Sequence, residues 1–156
     1  MTILPANEFH IPGIIALLHQ VGDVHHEIRP DIFRAGALKY DETALKELLS
    51  DESKPIFAAV EGENVLGYCF CQLRACRGST VLTDREELYI DDLCVDETVR
   101  GKGIAQALYH HTLAFAREKG CAFVTLNVWE GNHRAAKFYE KMGMTPRSTN
   151  MEIKLC

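Results

Sequence analysis

Along the chain the spacing of apolar positions switches between two and about 3.6 residues, and each switch marks an element. Thr2 to Leu4 predicts a short first strand. Pro12 opens a helix carrying Ile14, Ile15, Leu17, Leu18 and Val21 on its inner face, with Gly22 as the expected stop. Residues 23–39, which include His25, His26, Pro30 and Phe33, have no clear period and predict a loop with helical turns. Asp41 caps a helix bearing Leu45, Leu48 and Leu49 that ends before Pro55. Ile56–Val60 and Val65–Ala75 flank the turn Glu61-Gly62-Glu63-Asn64 and predict an antiparallel hairpin. Leu88–Val95 is a further strand. Ile104–Lys119 is the clearest helix, with Ile104, Leu108 and Phe115 on one face and Gly120 as its left-handed cap. Cys121–Val128 is a near-continuous apolar strand, the pattern of burial on both faces. Asn132 caps a helix with Ala135, Ala136, Phe138, Tyr139 and Met142, stopped by Gly143. Arg147 to Leu155 alternates weakly and predicts a last edge strand. This interleaving gives an α/β or α+β fold with a mixed sheet, in one domain over residues 1–156.

Composition narrows the class. With 47% hydrophobic and 25% charged residues, the chain has a globular rather than a disordered balance. Its net charge of −5 counts against a nucleic-acid partner, which selects for a basic face. No apolar run approaches the roughly 18 residues a membrane span needs, and the N-terminus lacks the cationic-then-apolar order of a signal peptide. A cytoplasmic protein with no membrane partner is expected. Among the 6 cysteines, Cys69 and Cys71 lack the two-residue gap of zinc and redox motifs, so reduced, buried thiols and no metal site are expected.

One segment stands out chemically. Arg100-Gly101-Lys102-Gly103-Ile104-Ala105 lies between a predicted strand and the start of the clearest helix. The first turn of a helix leaves backbone N–H groups unpaired at the positive end of its dipole. Glycines let the backbone close on an anion, and Arg100 and Lys102 add positive charge in an otherwise acidic chain. A phosphate or diphosphate is the natural guest. The segment lacks the Lys-Ser/Thr ending of a nucleotide P-loop and the third glycine of a dinucleotide fingerprint.

The same residues, from Val95 to Ala105, resemble the acetyl-CoA signature Q/R-x-x-G-x-G/A of the GNAT superfamily of N-acetyltransferases, with Arg100, Gly103 and Ala105 at its fixed positions. Asn132 to Met144 resembles the superfamily's second motif, N-x-x-A-x-x-F-Y-x-x-x-G. The resemblance covers roughly residues 87 to 144. It implies a mostly antiparallel central sheet of about six to seven strands flanked by about four helices, with two parallel central strands splaying apart to admit acetyl-CoA. Leu93, Cys94 and Val95 would meet the pantetheine arm, Arg100 to Ala105 the diphosphate, and Asn132 the cofactor from its helix cap. Tyr139 matches the position that donates a proton to the departing sulfur. A homodimer is also implied.

Acetylating a primary amine requires a base. An alkylamine with a pKa near 10.4 costs on the order of 4.6 kcal/mol to neutralise at pH 7. Seven acids between Asp84 and Glu97, against the single base Arg85, point to a cationic acceptor near this stretch. Tyr89-Ile90-Asp91-Asp92-Leu93-Cys94-Val95 resembles the Y-L-E-D-F-F-V pattern of spermidine/spermine acetyltransferases, which puts Asp91 at the base position, one methylene short. Strand pleating predicts Asp91 and Asp92 on opposite faces, with at most one facing the acceptor. Asp92, Glu87 and His26 are candidates to hold the acceptor, and Glu87, His25 and His26 are fallback bases. The expected activity is transfer of acetyl to a small cationic amine or polyamine. A protein amine as acceptor, or a non-catalytic coenzyme A sensor, are the alternatives.

Overall fold

The computed structural model of the chain describes residues 1–156. Strands β1 (Thr2–Pro5), β2 (Ile56–Glu61), β3 (Asn64–Cys76), β4 (Arg85–Val95) and β5 (Phe123–Leu126) form one sheet in sequence order. The first three pairings are antiparallel and β4–β5 is parallel. Helices α1 (Ile11–Ile28) and α2 (Glu42–Leu49) pack on one face, and α3 (Ile104–Glu118) and α4 (His133–Lys141) on the other. The sheet therefore separates two cores. Tyr68, Phe70 and Cys94 pack under α1, while Cys69, Cys71, Leu88 and Ile90 pack under α3. All of the cysteines are free thiols, three of them buried (Cys69, Cys71 and Cys94) and Cys156 exposed.

Three elements differ from the sequence-based expectation. The sheet has five strands, not six to seven, because residues 145–156 make no backbone hydrogen bonds. In that segment Glu152 and Lys154 reach Arg29 and Asp31, while Met151, Ile153 and Leu155 face outward, each more than four-fifths exposed. Alternation alone does not make a strand where no neighbouring edge supplies bonds. Helix α1 runs through Gly22 to Ile28, since an interior glycine costs only about 1 kcal/mol relative to alanine. Strand β5 is shorter than the predicted Cys121–Val128, and Phe123 is half exposed, because this strand lies at the sheet edge. Asp41 and Asn132 cap their helices as expected, accepting from the N–H groups of Ala44 and Ala135.

Candidate active site

The ladder between β3 and β4 slips by one residue, and that slip shapes the site. Phe70 faces Asp92 and Cys71 faces Ile90, so Asp91 is an extra residue with no partner on β3. Such a bulge reverses the parity of the strand. Before it, Leu88 and Ile90 face the α3 side; after it, Leu93 and Val95 do, and Cys94 faces α1. Asp91 and Asp92 consequently share the α1 side instead of pointing oppositely. Asp91 Oδ2 accepts from Lys39 Nζ and the Tyr40 hydroxyl, each at 2.9 Å. Asp92 Oδ2 accepts from the Tyr68 hydroxyl at 2.7 Å.

Just beyond this point the sheet opens. Parallel pairing of β4 with β5 ends at Ile90–Leu126, whereas β4 continues to Val95 paired with β3 only. The Asp96 N–H donates to Leu66 O, toward β3. Alternation along the strand then turns the N–H and C=O groups of Leu93 and Val95 the other way, into the gap left by β5. Cys94 turns its backbone to β3, opposite Tyr68, and buries its thiol against Leu17 O, so of these three residues Leu93 and Val95 alone offer main chain to the gap. Burial pushes the Cys94 thiol up to about 12, which makes it no nucleophile at neutral pH.

A cavity of about 540 Å³ runs through the gap and joins the two faces of the sheet. Asp91, Asp92 and His25 line it on the α1 side, Asn132 and Tyr139 on the α4 side, with Phe33 and Trp129 as an aromatic wall. Burial raises Asp92 above the ordinary aspartate range, and the Tyr68 hydrogen bond and Lys39 only partly offset this. Burial likewise raises the Tyr139 phenol, with Cys69, Asp92 and Tyr109 adding to the effect, and lowers His25, which stays neutral at pH 7. No protein group accepts from the Tyr139 hydroxyl, and its oxygen is open to the cavity. The site thus holds a carboxylate made a stronger base and a phenol with an unused proton.

At the end of β4 lies the glycine turn. Gly101 and Gly103 have φ of 80° and 77°, which side-chain-bearing residues adopt at a cost of about 1–2 kcal/mol. Backbone N–H groups from Arg100 to Gln106 find no acceptor in the protein. Arg100 and Lys102 form no ion pair, and neither does Arg134 at the start of α4, whose guanidinium is pushed down by burial and by Arg100 beside it. Unpaired amides and unpaired cations together form a cradle that could hold a diphosphate. Arg134 went unnoticed in the sequence because only the fold brings the starts of α3 and α4 together.

Two residues read from the sequence as holding the acceptor lie off the cavity. Glu87 sits on the paired half of β4 and is engaged by Arg85 at 2.6 Å and Arg147 at 2.9 Å, which hold its carboxyl below the usual range. His26 bonds through Nδ1 to Phe33 O at 2.7 Å, and its neighbour His25 faces the cavity instead. Lys39, Tyr40 and Tyr68 reach the two aspartates although no sequence spacing links them to β4.

The sequence model of the Acetyltransferase (GNAT) family matches residues 23–144. A peptidyl-lysine N-acetyltransferase of Salmonella typhimurium is 30% identical over 133 residues, covering 83% of this chain and 73% of its own length. An N-acetyltransferase of Methanocaldococcus jannaschii is 27% identical over 67% of the chain, and a glucosamine 6-phosphate N-acetyltransferase of Trypanosoma brucei brucei is 33% identical over 43% of it. The chain spans less than half the length of these last two relatives, 45% and 44%. Among solved structures, a variant of the BH1408 protein from Bacillus halodurans superposes over the full length of both chains with a TM-score of 0.96 at 27% identity. An aminoglycoside N-acetyltransferase in complex with CoA has a TM-score of 0.71 at 17% identity, covering 99% of this chain and all of its own, a likeness of fold.

Proposed function

The chain belongs to the acetyltransferase (GNAT) family, and from that premise we propose that it transfers the acetyl group of acetyl-CoA to a primary amine by direct attack. The observation that carries this reading is the cradle of unpartnered amides from Arg100 to Gln106, flanked by unpaired Arg100, Lys102 and Arg134. It lies at the end of the strand whose free backbone edge opens on the cavity. These features fit the parts of coenzyme A in order. The cradle would hold the diphosphate, with Ile104 and Ala105 contributing first-turn amides. Leu93 and Val95 would pair with the amides of the pantetheine arm, as an added strand does. Bound there, acetyl-CoA supplies an activated acetyl thioester facing the cavity.

The chain's own residues supply proton transfers. Asp92, directly or through water, takes the proton that the acceptor ammonium must lose, and burial raises its pKa, which strengthens it as a base. Asp91, the base expected from the sequence, is engaged by Lys39 and Tyr40 and instead shapes the field around the amine. Tyr139 donates its free proton to the departing sulfur; a phenol near 10 and a thiol near 8.5 differ by about 2 kcal/mol before burial adds to the gap. Asn132 fixes the start of α4 and thereby the position of Tyr139.

The acidic stretch of β4 suggests a polyamine acceptor, and the name of the Salmonella relative a lysine side chain; both present a primary amine. Incubating the protein with acetyl-CoA and amines or lysine peptides, and following release of coenzyme A thiol, tests the reading. Amine-dependent release is expected, and none with any amine contradicts it.

A further inference from the structure

The charges lining the cavity differ from what the acidic stretch of β4 suggests. Asp91 is already paired: Lys39 Nζ lies 2.9 Å from its Oδ2, with the carboxylate 15% exposed and the lysine side chain 44% exposed. Lys39 belongs to a built wall. The segment between α1 and α2 that carries it is tied to α1 by the His26–Phe33 hydrogen bond. It also approaches Gly22 so closely that a Cβ there would meet Ala37 O at 2.9 Å. Arg34, on the same segment, lines the cavity without any carboxylate partner. With His25 held neutral by burial, the lining cations Lys39 and Arg34 match Asp91 and Asp92 in number. Beside these cations lies an aromatic surface: Phe33, on the same segment, meets Trp129 edge-on at 5.0 Å and stacks with His25 at 4.9 Å.

We propose that Lys39 sets the charge of the acceptor. By neutralising Asp91 in place it leaves Asp92 as the one carboxylate for the acceptor's ammonium, and so selects a single amine on an apolar or aromatic body over diamines and polyamines. This inference rests on the acetyl transfer proposed above. A second ammonium on the acceptor would face Lys39 and Arg34 instead of a free carboxylate, and like charges set together act as a penalty against the wrong partner. An apolar body would lie against Phe33 and Trp129. Specificity here is a difference between two acceptors, so it is read as a ratio.

The test compares kcat/KM for monoamines (tryptamine, phenethylamine, Nα-acetyl-lysine amide) with that for putrescine and spermidine. It is run on the unaltered chain, Lys39→Met and Lys39→Arg, with calorimetric titration of acetyl-CoA into each. The unaltered chain favours monoamines by at least about tenfold, Lys39→Met shifts the ratio toward diamines by about tenfold, and Lys39→Arg keeps it. Acetyl-CoA affinity stays the same in all three. The assignment is overturned if diamines are preferred by the unaltered chain, if Lys39→Met leaves the ratio unmoved, or if acetyl-CoA binds and no amine of either series is acetylated. Failure of acetyl-CoA to bind the unaltered chain instead overturns the acetyl-transfer reading.

Discussion

In the proposed reaction Tyr139 and Asp92 would carry opposite halves of one proton exchange, and their environments set how each responds to substitution. Tyr139→Phe removes the donor and keeps the ring that packs on Tyr109 and Phe138. Steady-state turnover is expected to fall about 100-fold or more with acetyl-CoA affinity within about twofold, since a proton donor acts in the transition state. A large affinity loss at unchanged kcat would make Tyr139 a packing residue. Asp92 is held above the ordinary aspartate range by burial, so its stability contribution is complete below that range and is lost as pH rises through the raised value. Asp92→Asn should therefore lower activity while raising the thermal midpoint at pH 7, by about 2–4 °C for each kcal/mol regained in a chain of this size. That gain should shrink toward zero below about pH 4, and a scan of midpoint against pH checks it. The place of Tyr139 on α4 was legible in the sequence because its neighbours form a fixed local pattern on one helix. The shared orientation of Asp91 and Asp92 was not, because the bulge that turns both to one side arises from pairing with β3.

At the scale of elements, the turn before α3 was legible because glycine spacing, charge and the start of a helix are all local. Gly103 has φ of 77° and a Cβ there would meet nothing within 4 Å, so Gly103→Ala tests backbone conformation apart from crowding. The substitution strains the turn by about 1–2 kcal/mol and reorients the cradle amides. Acetyl-CoA affinity is expected to fall at least about tenfold, with the circular dichroism spectrum of the sheet and helices retained; unchanged affinity would remove the turn from the binding site. Helix ends set by capping side chains were also legible, as at Asp41 and Asn132. Those decided by distant contacts were not. Gly22 looks like a stop, yet it is the place where helix and loop touch, and α1 continues beyond it. Arg147 to Leu155 has a strand's alternation and no edge to pair with.

Across the whole molecule, the proposed function rests on an interruption in an otherwise continuous sheet. β5 ends at Leu126, β4 runs on, and the gap joins the carboxylates on the α1 side to the phenol on the α4 side. Order of elements and the apolar faces of α1 and α3 made the layered fold readable from sequence. The cavity wall built by Phe33, Arg34 and Lys39 was not readable, since residues 23–39 show no period and meet β4 only in three dimensions. The proposed activity depends on one binding event, and calorimetric titration of acetyl-CoA into the chain and into Arg100→Ala measures it most directly. One-to-one binding is expected, weakened at least about tenfold by Arg100→Ala through loss of a charge-assisted contact to phosphate. No heat of binding, or equal affinity in both proteins, would contradict the placement of the diphosphate at the start of α3.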